Sequence, residues 1–272
     1  MLELAFRSTI LGNGIQWGRI GAGPAMIAIH GTPFSSQVWR RIIPHLAQHW
    51  TVYYYDLAGY GASEMREGQD VSLGVQNDIL EGLIREWGLT RPHILAHDFG
   101  GATALRAHIL NGLEYASLTL IDPVSLAPWG SPLVQHVRSH SEAFAGMPAY
   151  MHRAMLDEYL QGSVFRRMSP DVLEIHAKPW TGPVGQPAFY RQIAQMDQVY
   201  TDEIFEQLTR LPFPTQVIWG EEDQWIPIGT GEKLAEMISD KPLIRVPDAG
   251  HLMQEDRPEA ILSHVLSSLL AV

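Results

Sequence analysis

The sequence contains no cysteine among its 272 residues, which excludes disulfide bonds, thiolate nucleophiles and cysteine-ligated metal sites. Basic residues are scarce: 19 Lys and Arg stand against 30 Asp and Glu, and the formal net charge is −11. Nucleic acids and anionic membrane surfaces attract clustered Lys and Arg, so neither is expected as a partner. The composition instead predicts an acidic, soluble surface.

Long apolar runs are also missing. No stretch of about 18 apolar residues occurs, so no membrane-spanning helix is predicted. Residues 1–7 lack a basic region followed by an apolar one, so no signal peptide is expected and a cytoplasmic protein is predicted. No glycine-rich dinucleotide or phosphate motif has the required spacing, and no metal site is apparent, so neither a cofactor nor a metal is expected.

Short apolar runs alternate with amphipathic segments along most of the chain. The first 23 residues predict a β-hairpin, because glycines punctuate them. This alternation predicts a mostly parallel α/β sheet with helices on both faces. Strands are predicted at residues 25–30, 51–55, 93–97, 116–121, 215–219 and 243–246, and helices at residues 36–48, 72–87 (with Ser72 as the N-cap), 99–110, 228–238 and 258–270.

The alternation stops between residues 126 and 211. This segment is rich in Met, His, Tyr, Trp and Pro and contains no clear buried strand. We interpret it as a helical cap inserted into a core domain formed by residues 1–125 and 212–272. Insertions of this kind usually cover a pocket, so the cap is expected to lie over the functional site.

Residues 94–101 predict a buried strand that turns sharply into a helix. The small residues Ala96 and Gly100 flank Asp98 on its two sides, as a nucleophile elbow requires. A carboxylate that attacks a saturated carbon forms a stable alkyl ester, whereas attack on an ester carbonyl would form a high-energy anhydride. Asp98 is therefore predicted to be a nucleophile toward a saturated carbon; the alternative is a simple helix N-cap.

Two further residues follow later predicted strands. Asp223 follows the strand at residues 215–219, and His251 follows the last strand. The order nucleophile, acid, histidine is the one that an elbow-containing hydrolase uses. His251 is predicted to activate water and Asp223 to orient its imidazole. Asp122 is an alternative acid.

An oxyanion hole is expected from two backbone amides. One belongs to Phe99, directly after the proposed nucleophile, and the other belongs to Thr32, in the turn after the first long strand. These N–H groups would stabilise the tetrahedral intermediate that forms when the alkyl ester is hydrolysed. The alternative for the segment around Thr32 is a plain turn.

Taken together, these motifs resemble the α/β-hydrolase superfamily over nearly the full length of the chain. More narrowly, they resemble its branch with an Asp nucleophile, which comprises epoxide hydrolases, haloalkane dehalogenases and haloacetate dehalogenases. The resemblance implies an α/β-hydrolase fold and an alkyl-enzyme ester intermediate. It is carried by residues 30–33, 56–63, 97–101, 220–227 and 250–251.

The leaving group separates these families. Haloalkane dehalogenases typically use a Trp after the nucleophile or an Asn in the preceding turn to bind halide, and this chain has Phe99 and Thr32 there. Phe offers no donor and Thr only a hydroxyl, although Trp129 or Trp180 could compensate. Haloacetate dehalogenases place an Arg where this chain has Phe99.

Epoxide hydrolases instead protonate an alkoxide with tyrosines of the cap. The resemblance implies Tyr190 as one donor, while Tyr150, with His140 as an alternative, is the candidate for the other. The predicted function is therefore hydrolysis of an epoxide to a vicinal diol, on a small apolar organic substrate, by a monomer or homodimer. A haloalkane or haloacetate dehalogenase is the first alternative, and a non-hydrolytic small-ligand binder or lyase is the second.

Overall fold

Eight strands form one sheet in the computed structural model, which describes residues 1–270. Strand positions follow the predicted apolar runs to within about two residues, the usual uncertainty of element ends. The strands are β1 (Phe6–Ile10), β2 (Asn13–Ile20), β3 (Ala25–Ile29), β4 (Thr51–Tyr55), β5 (His93–His97), β6 (Ser117–Ile121), β7 (Thr215–Gly220) and β8 (Ile244–Val246).

Twelve α-helices accompany this sheet within the described residues. They are α1 (Ile43–Leu46), α2 (Leu73–Glu86), α3 (Phe99–Asn111), α4 (Pro132–Ser139), α5 (Ser141–Ala145), α6 (Ala149–Gln161), α7 (Pro170–Ala177), α8 (Gly182–Ala194), α9 (Val199–Phe205), α10 (Ile228–Ile238), α11 (Met253–Asp256) and α12 (Pro258–Leu270). Two 3₁₀ helices cover Ser36–Arg41 and Lys178–Trp180.

The strands are arranged in the order β1-β2-β4-β3-β5-β6-β7-β8. The pairs β1/β2 and β2/β4 are antiparallel, and every later neighbour is parallel. The central strands are continuous apolar runs because both of their faces are covered; β6 and β7, for example, are buried at every residue. The predicted hairpin and the predicted mostly parallel sheet are confirmed.

One local prediction was wrong, and a second is confirmed in position only. The helix predicted over residues 36–48 is broken into a 3₁₀ helix and the short α1, because Pro44 has no N–H to donate to a preceding turn. Ser72 does stand at the N-cap position of α2, but its hydroxyl donates to Asp70 Oδ1 at 2.7 Å and does not cap the helix.

The segment between β6 and β7 contains helices α4 to α9. We call residues 126–211 the insert. Within it, α4 and α5 pack against α8, and α9 also contacts α3 of the sheet region. No helix within residues 1–270 combines the length and apolar surface that crossing a lipid bilayer requires.

Candidate active site

The predicted active-site residues of the sheet region follow five parallel strands, whose carboxyl ends bring them to one edge of the sheet. Thr32 follows β3, Asp98 follows β5 and Asp122 follows β6, while Asp223 and His251 lie in the loops after β7 and β8. Such edges are where open α/β sheets place their sites. Residues separated by more than 200 positions in the chain therefore become neighbours.

Asp98 occupies the turn between β5 and α3 in a strained backbone conformation, with φ 50° and ψ −118°. Its carbonyl oxygen accepts hydrogen bonds from the N–H groups of Gly101, Ala102 and Val124, which hold the turn in place. A side chain at Gly100 would put its Cβ 2.5 Å from the Ile29 carbonyl oxygen. The glycine therefore allows α3 to start close against β3, as the elbow motif predicts.

The carboxylate of Asp98 is 2% exposed and faces the turn after β3. The N–H of Thr32 donates to Asp98 Oδ1 at 2.6 Å. Gly31 permits this approach, because a Cβ there would lie 2.3 Å from the same oxygen. Phe99 is the first residue of α3, and the first N–H groups of a helix have no partner inside it. Both predicted oxyanion amides thus lie beside Asp98.

His251 connects Asp98 with Asp223. Its Nδ1 lies 2.9 Å from Asp223 Oδ2, so this nitrogen carries a hydrogen that it donates to the carboxylate. Its Nε2 lies 3.3 Å from Asp98 Oδ2. Burial alone would lower the pKa of His251, but the charges of Asp223 and Asp98 outweigh burial and hold the pKa well above its usual value.

Asp223 is fixed from its other side. Its Oδ1 accepts hydrogen bonds from the N–H groups of Trp225 and Ile226, at 2.7 and 3.0 Å, and its side chain is fully buried. The carboxylate therefore has three donors and a single orientation. This arrangement keeps the imidazole of His251 in the tautomer whose Nε2 faces Asp98.

Asp122, the alternative acid, makes different contacts. Its Oδ1 accepts the N–H of Gly220 at 2.8 Å, while its Oδ2 has no partner within the described chain. Burial and the negative charge of Asp223 raise the pKa of Asp122 well above its usual value. A carboxyl group in these surroundings favours its neutral form, and Asp223 is the acid that contacts His251.

His97 is a buried neighbour of the site that the sequence reasoning did not single out. Its Nε2 donates to the carbonyl oxygen of His251 at 2.9 Å, and the two rings lie 4.9 Å apart. Burial, followed by the proximity of His251, lowers the pKa of His97 to about 3. His97 is thus a neutral support for the backbone that carries His251. The signal available was its position directly before Asp98.

A narrow cavity opens in front of Asp98 and His251. The centre of a water-sized sphere can reach only about 30 Å³ of it, room for about two water molecules. Apart from Asp98, His251, Thr32, Ser131 and one tyrosine, its walls are apolar or backbone. No Lys or Arg is found among the described residues that line it. The insert supplies Trp129, Gly130, Ser131, Val134, Tyr159 and Met196, and the sheet region supplies Thr32, Asp98, Phe99, Val124, Trp225, Ile226 and His251.

The structure does not bring the predicted cap donors to the cavity lining. Tyr150 is 74% exposed, and its alternative His140 is also exposed, so both lie on the surface of the insert. Tyr190 is buried but outside the cavity lining. His152 donates from Nε2 to the Trp180 carbonyl oxygen at 2.8 Å, so its Nδ1 is an acceptor, and the Tyr190 hydroxyl donates to it at 2.7 Å.

Tyr159, on α6, is the tyrosine of the insert that lines the cavity. Its ring stacks on Trp225, with centroids 4.6 Å apart and an angle of 14° between the planes. Burial, with a smaller contribution from the charge of Asp98, raises its pKa far above the usual value, so the hydroxyl keeps its proton. Nothing in the sequence distinguished Tyr159 from the other tyrosines of the insert.

The two tryptophans considered as halide donors are already engaged. Trp129 Nε1 donates to Thr201 Oγ1 at 2.8 Å, and Trp180 Nε1 donates to the Pro33 carbonyl oxygen at 2.5 Å. Trp129 also lines the cavity, but as an apolar wall. No group of three side chains suited to a metal ion occurs within residues 1–270.

Comparisons with known proteins agree with this architecture. The chain is 52% identical to an α/β hydrolase fold protein from Burkholderia ambifaria, whose crystal structure it matches with a TM-score of 0.97 over 98% of each chain. It is 25% identical to 2-hydroxy-6-oxo-2,4-heptadienoate hydrolase from Pseudomonas putida, over 96% of this chain and 95% of that protein. It is 28% identical to a fluoroacetate dehalogenase from Burkholderia sp., but this match spans only 60% of this chain and 59% of the dehalogenase.

The family model described as the α/β hydrolase fold matches residues 24–258, which is most of the chain. The match includes β3 to β8, the insert, and the loops that carry Asp98, Asp223 and His251. The predicted fold is confirmed, and the chain belongs to the α/β hydrolase family.

Proposed function

We propose that this protein hydrolyses small, uncharged epoxides to vicinal diols through an alkyl ester on Asp98. The observation that carries the proposal is the set of groups around one narrow cavity. The buried Asp98 carboxylate, the His251–Asp223 pair and Tyr159 border it, and no Lys or Arg is found among the described residues of its lining. Each of these groups corresponds to one step of epoxide hydrolysis.

Asp98 is suited to attack a saturated carbon. Its carboxylate oxygens are held by Thr32 N–H on one side and lie near His251 on the other, so the group is oriented before substrate arrives. In the first step a carboxylate oxygen bonds to an epoxide carbon, and the C–O bond of the ring breaks. The electron pair goes to the ring oxygen, which becomes an alkoxide unless it receives a proton.

Tyr159 is proposed to supply that proton. Tyr159 lines the cavity and its raised pKa keeps its hydroxyl protonated in the resting enzyme, while an alkoxide is a far stronger base than a phenolate. The proton passes from the Tyr159 oxygen to the ring oxygen as the ring opens. The product of this step is a hydroxyalkyl ester of Asp98 beside a tyrosinate.

Water then hydrolyses the ester. His251 Nε2 takes a proton from water, whose oxygen bonds to Cγ of Asp98. The N–H groups of Thr32 and Phe99 are placed to stabilise the resulting oxyanion. The ester C–O bond breaks, the departing alkoxide takes the proton from His251 to complete the diol, and the new carboxylic acid returns its proton to the tyrosinate. One water is consumed for each epoxide.

The insert is proposed to be the cap of this site. It supplies six of the residues that line the cavity, Tyr159 among them, and its tryptophan Trp129 packs edge-to-face on Phe99 with centroids 5.8 Å apart. The cavity admits so little volume that a substrate must displace part of the insert in order to enter. A closed cap would then exclude bulk water from the ester.

A dehalogenase is the second candidate, and the similarity to a fluoroacetate dehalogenase favours it. Asp98 would attack a carbon that bears a halogen, and halide would leave as an anion. A haloacetate substrate would also need a cation for its carboxylate. The described lining has no Lys or Arg, and the N–H groups of Trp129 and Trp180 are engaged elsewhere. These contacts favour the epoxide over the halide.

The test is a product assay of the purified protein against alkyl and aryl epoxides, haloalkanes and haloacetates. We expect diol from a small neutral epoxide and no diol from Asp98→Asn, because the amide is not a nucleophile. In His251→Gln the ester should accumulate and add the mass of the substrate to the protein. Halide release instead of diol would favour the dehalogenase. No product and no adduct with any electrophile would favour a ligand binder or a lyase.

A further inference from the structure

A buried hydrogen-bond chain runs from the insert to the oxyanion loop. Gln192, on α8, accepts hydrogen bonds at Oε1 from Thr32 Oγ1 at 2.7 Å and from Tyr60 O–H at 3.1 Å. Thr32 in turn donates its backbone N–H to Asp98 Oδ1. Two hydrogen bonds therefore separate a glutamine of the insert from the carboxylate of Asp98.

All members of this chain are shielded from solvent. Gln192 is 2% exposed and Thr32 is 5% exposed, while Tyr60 is fully buried. Hydrogen bonds in such surroundings constrain geometry more strongly than those at a surface, because water does not compete for the same groups. The position of Thr32 is thus fixed by Asp98 through its backbone and, through its hydroxyl, by Gln192 at 2.7 Å and more weakly by Tyr60 O–H at 3.3 Å.

The Nε2 group of Gln192 has no hydrogen-bond partner within the described chain. A buried amide with unused donors costs stability, which offsets part of what the two hydrogen bonds of its Oε1 contribute. Those two hydrogen bonds hold the hydroxyls of Thr32 and Tyr60.

We infer that Gln192 is a positioning residue for hydrolysis of the Asp98 ester, acting through Thr32. This inference rests on the proposed function. During ester formation the Thr32 N–H only holds a carboxylate that is already anionic. During hydrolysis the same N–H must meet an oxygen on which negative charge develops, so its placement matters most in that step. A loosened Thr32 should slow hydrolysis and leave alkylation almost unchanged.

Gln195 offers a matched control on the same helix end. Its Oε1 accepts the N–H of Val71 at 2.7 Å and its Nε2 donates to the Gln69 carbonyl oxygen at 2.9 Å, so it also joins the insert to the sheet region. Neither contact reaches Asp98. Gln195→Leu therefore tests attachment of the insert, whereas Gln192→Leu tests the loop around Thr32.

The experiment measures both chemical steps separately with styrene oxide, using rapid quench and intact-protein mass spectrometry. In Gln192→Leu we expect ester hydrolysis to slow about tenfold, less than the ~100-fold typical of losing an oxyanion donor outright. Ester formation should change less than threefold. Gln195→Leu should leave both rates near those of the wild type, and thermal melts should establish that both variants are folded.

A double-mutant cycle tests whether Gln192 acts through Thr32. Thr32→Val removes the hydroxyl and keeps the backbone N–H, so it should slow hydrolysis as Gln192→Leu does, whereas Thr32→Ser keeps the hydroxyl and should restore most of the rate that Thr32→Val loses. Combining Thr32→Val with Gln192→Leu should add no further slowing. Additive effects, equal slowing in Gln195→Leu, or a larger effect on ester formation than on hydrolysis would each overturn the inference. Failure to detect any ester in His251→Gln would instead reject the Asp98 mechanism itself, and this inference with it.

Discussion

The two walls of the cavity differ in how their functional groups are held. On the sheet side, Asp98 and Asp223 are fixed by backbone N–H groups of adjacent loops, and His251 is held by the Asp223 carboxylate and, at its own carbonyl oxygen, by the side chain of His97. On the insert side, Tyr159 is held by the packing of its ring on Trp225. The position of a group that nearby backbone fixes can be predicted from a local motif. The position of a group held by packing depends on how separate helices contact each other.

The largest effect should come from the sheet wall. Asp223→Ala removes the carboxylate that fixes the His251 tautomer, and we expect the rate of ester hydrolysis to fall about 10³-fold. Asp122→Asn is the matched control. The amide oxygen can still accept the Gly220 N–H, and the carboxyl that it replaces favours its neutral form, so the rate should change less than threefold. A greater loss of rate in Asp122→Asn would mean that Asp122, at the end of β6, is the acid that supports His251.

The insert wall should give the next largest effect. Tyr159→Phe removes the proposed proton donor, and we expect kcat/KM for an epoxide to fall about 100-fold. Tyr190→Phe and Tyr150→Phe should each retain at least half of the activity, because one hydroxyl donates to His152 and the other side chain is exposed. Loss of activity in Tyr190→Phe comparable to that in Tyr159→Phe would mean that the insert rearranges when substrate binds.

These contrasts explain what the sequence could predict. Asp98, His251 and Thr32 stand in turns that can be predicted from the sequence, because each turn contains glycine and follows a strand. The structure places the three residues together. Tyr150 and Tyr159 are two positions of one helix, α6, and one is exposed while the other lines the cavity. Which face of that helix turns inward is decided by its packing on α7 and α8, which no short motif encodes.

One ion-pair cluster joins the insert to the sheet region and should contribute to stability. Glu255, on α11, contacts Arg40 and accepts a hydrogen bond from His176 of the insert at 2.9 Å. Burial would raise the pKa of Glu255, but His176 and Arg40 outweigh burial and lower it to about 2. A carboxyl whose pKa is lowered by folding stabilises the fold at every pH above its pKa in the unfolded state. That contribution is lost as the pH falls through the pKa of the folded state.

We therefore expect Glu255→Gln to lower the free energy of unfolding by about 3 kcal/mol at pH 7. The deficit relative to the wild type should shrink as pH falls from about 4.5 toward 2, where the wild-type carboxyl also becomes neutral. Urea denaturation at pH 7 and pH 3 measures both values. A deficit that stays constant with pH would mean that packing, and not charge, accounts for the loss.

The smallest predicted effect concerns the pKa of His251. The charge of Asp98 helps to raise that pKa, so its removal should lower it. Asp98→Asn carries the neutral group that an ester would also present, and NMR titration should give a lower pKa for His251 in this variant than in the wild type. The pH dependence of ester hydrolysis should follow the lower value, because His251 must be neutral to accept a proton. Equal values would indicate that Asp223 alone sets the pKa.

The stacking of Tyr159 on Trp225 has a consequence for the order of events in a catalytic cycle. In the proposed mechanism the nucleophile, the base and the oxyanion amides all belong to the sheet region, whereas the proton donor belongs to the insert. When the insert moves to admit a substrate, Tyr159 must part from Trp225 and leave the site. An open enzyme therefore has a nucleophile without an acid, and ring opening waits for reclosure. Because Trp225 is half of that contact, its fluorescence should follow the opening and the reassembly directly.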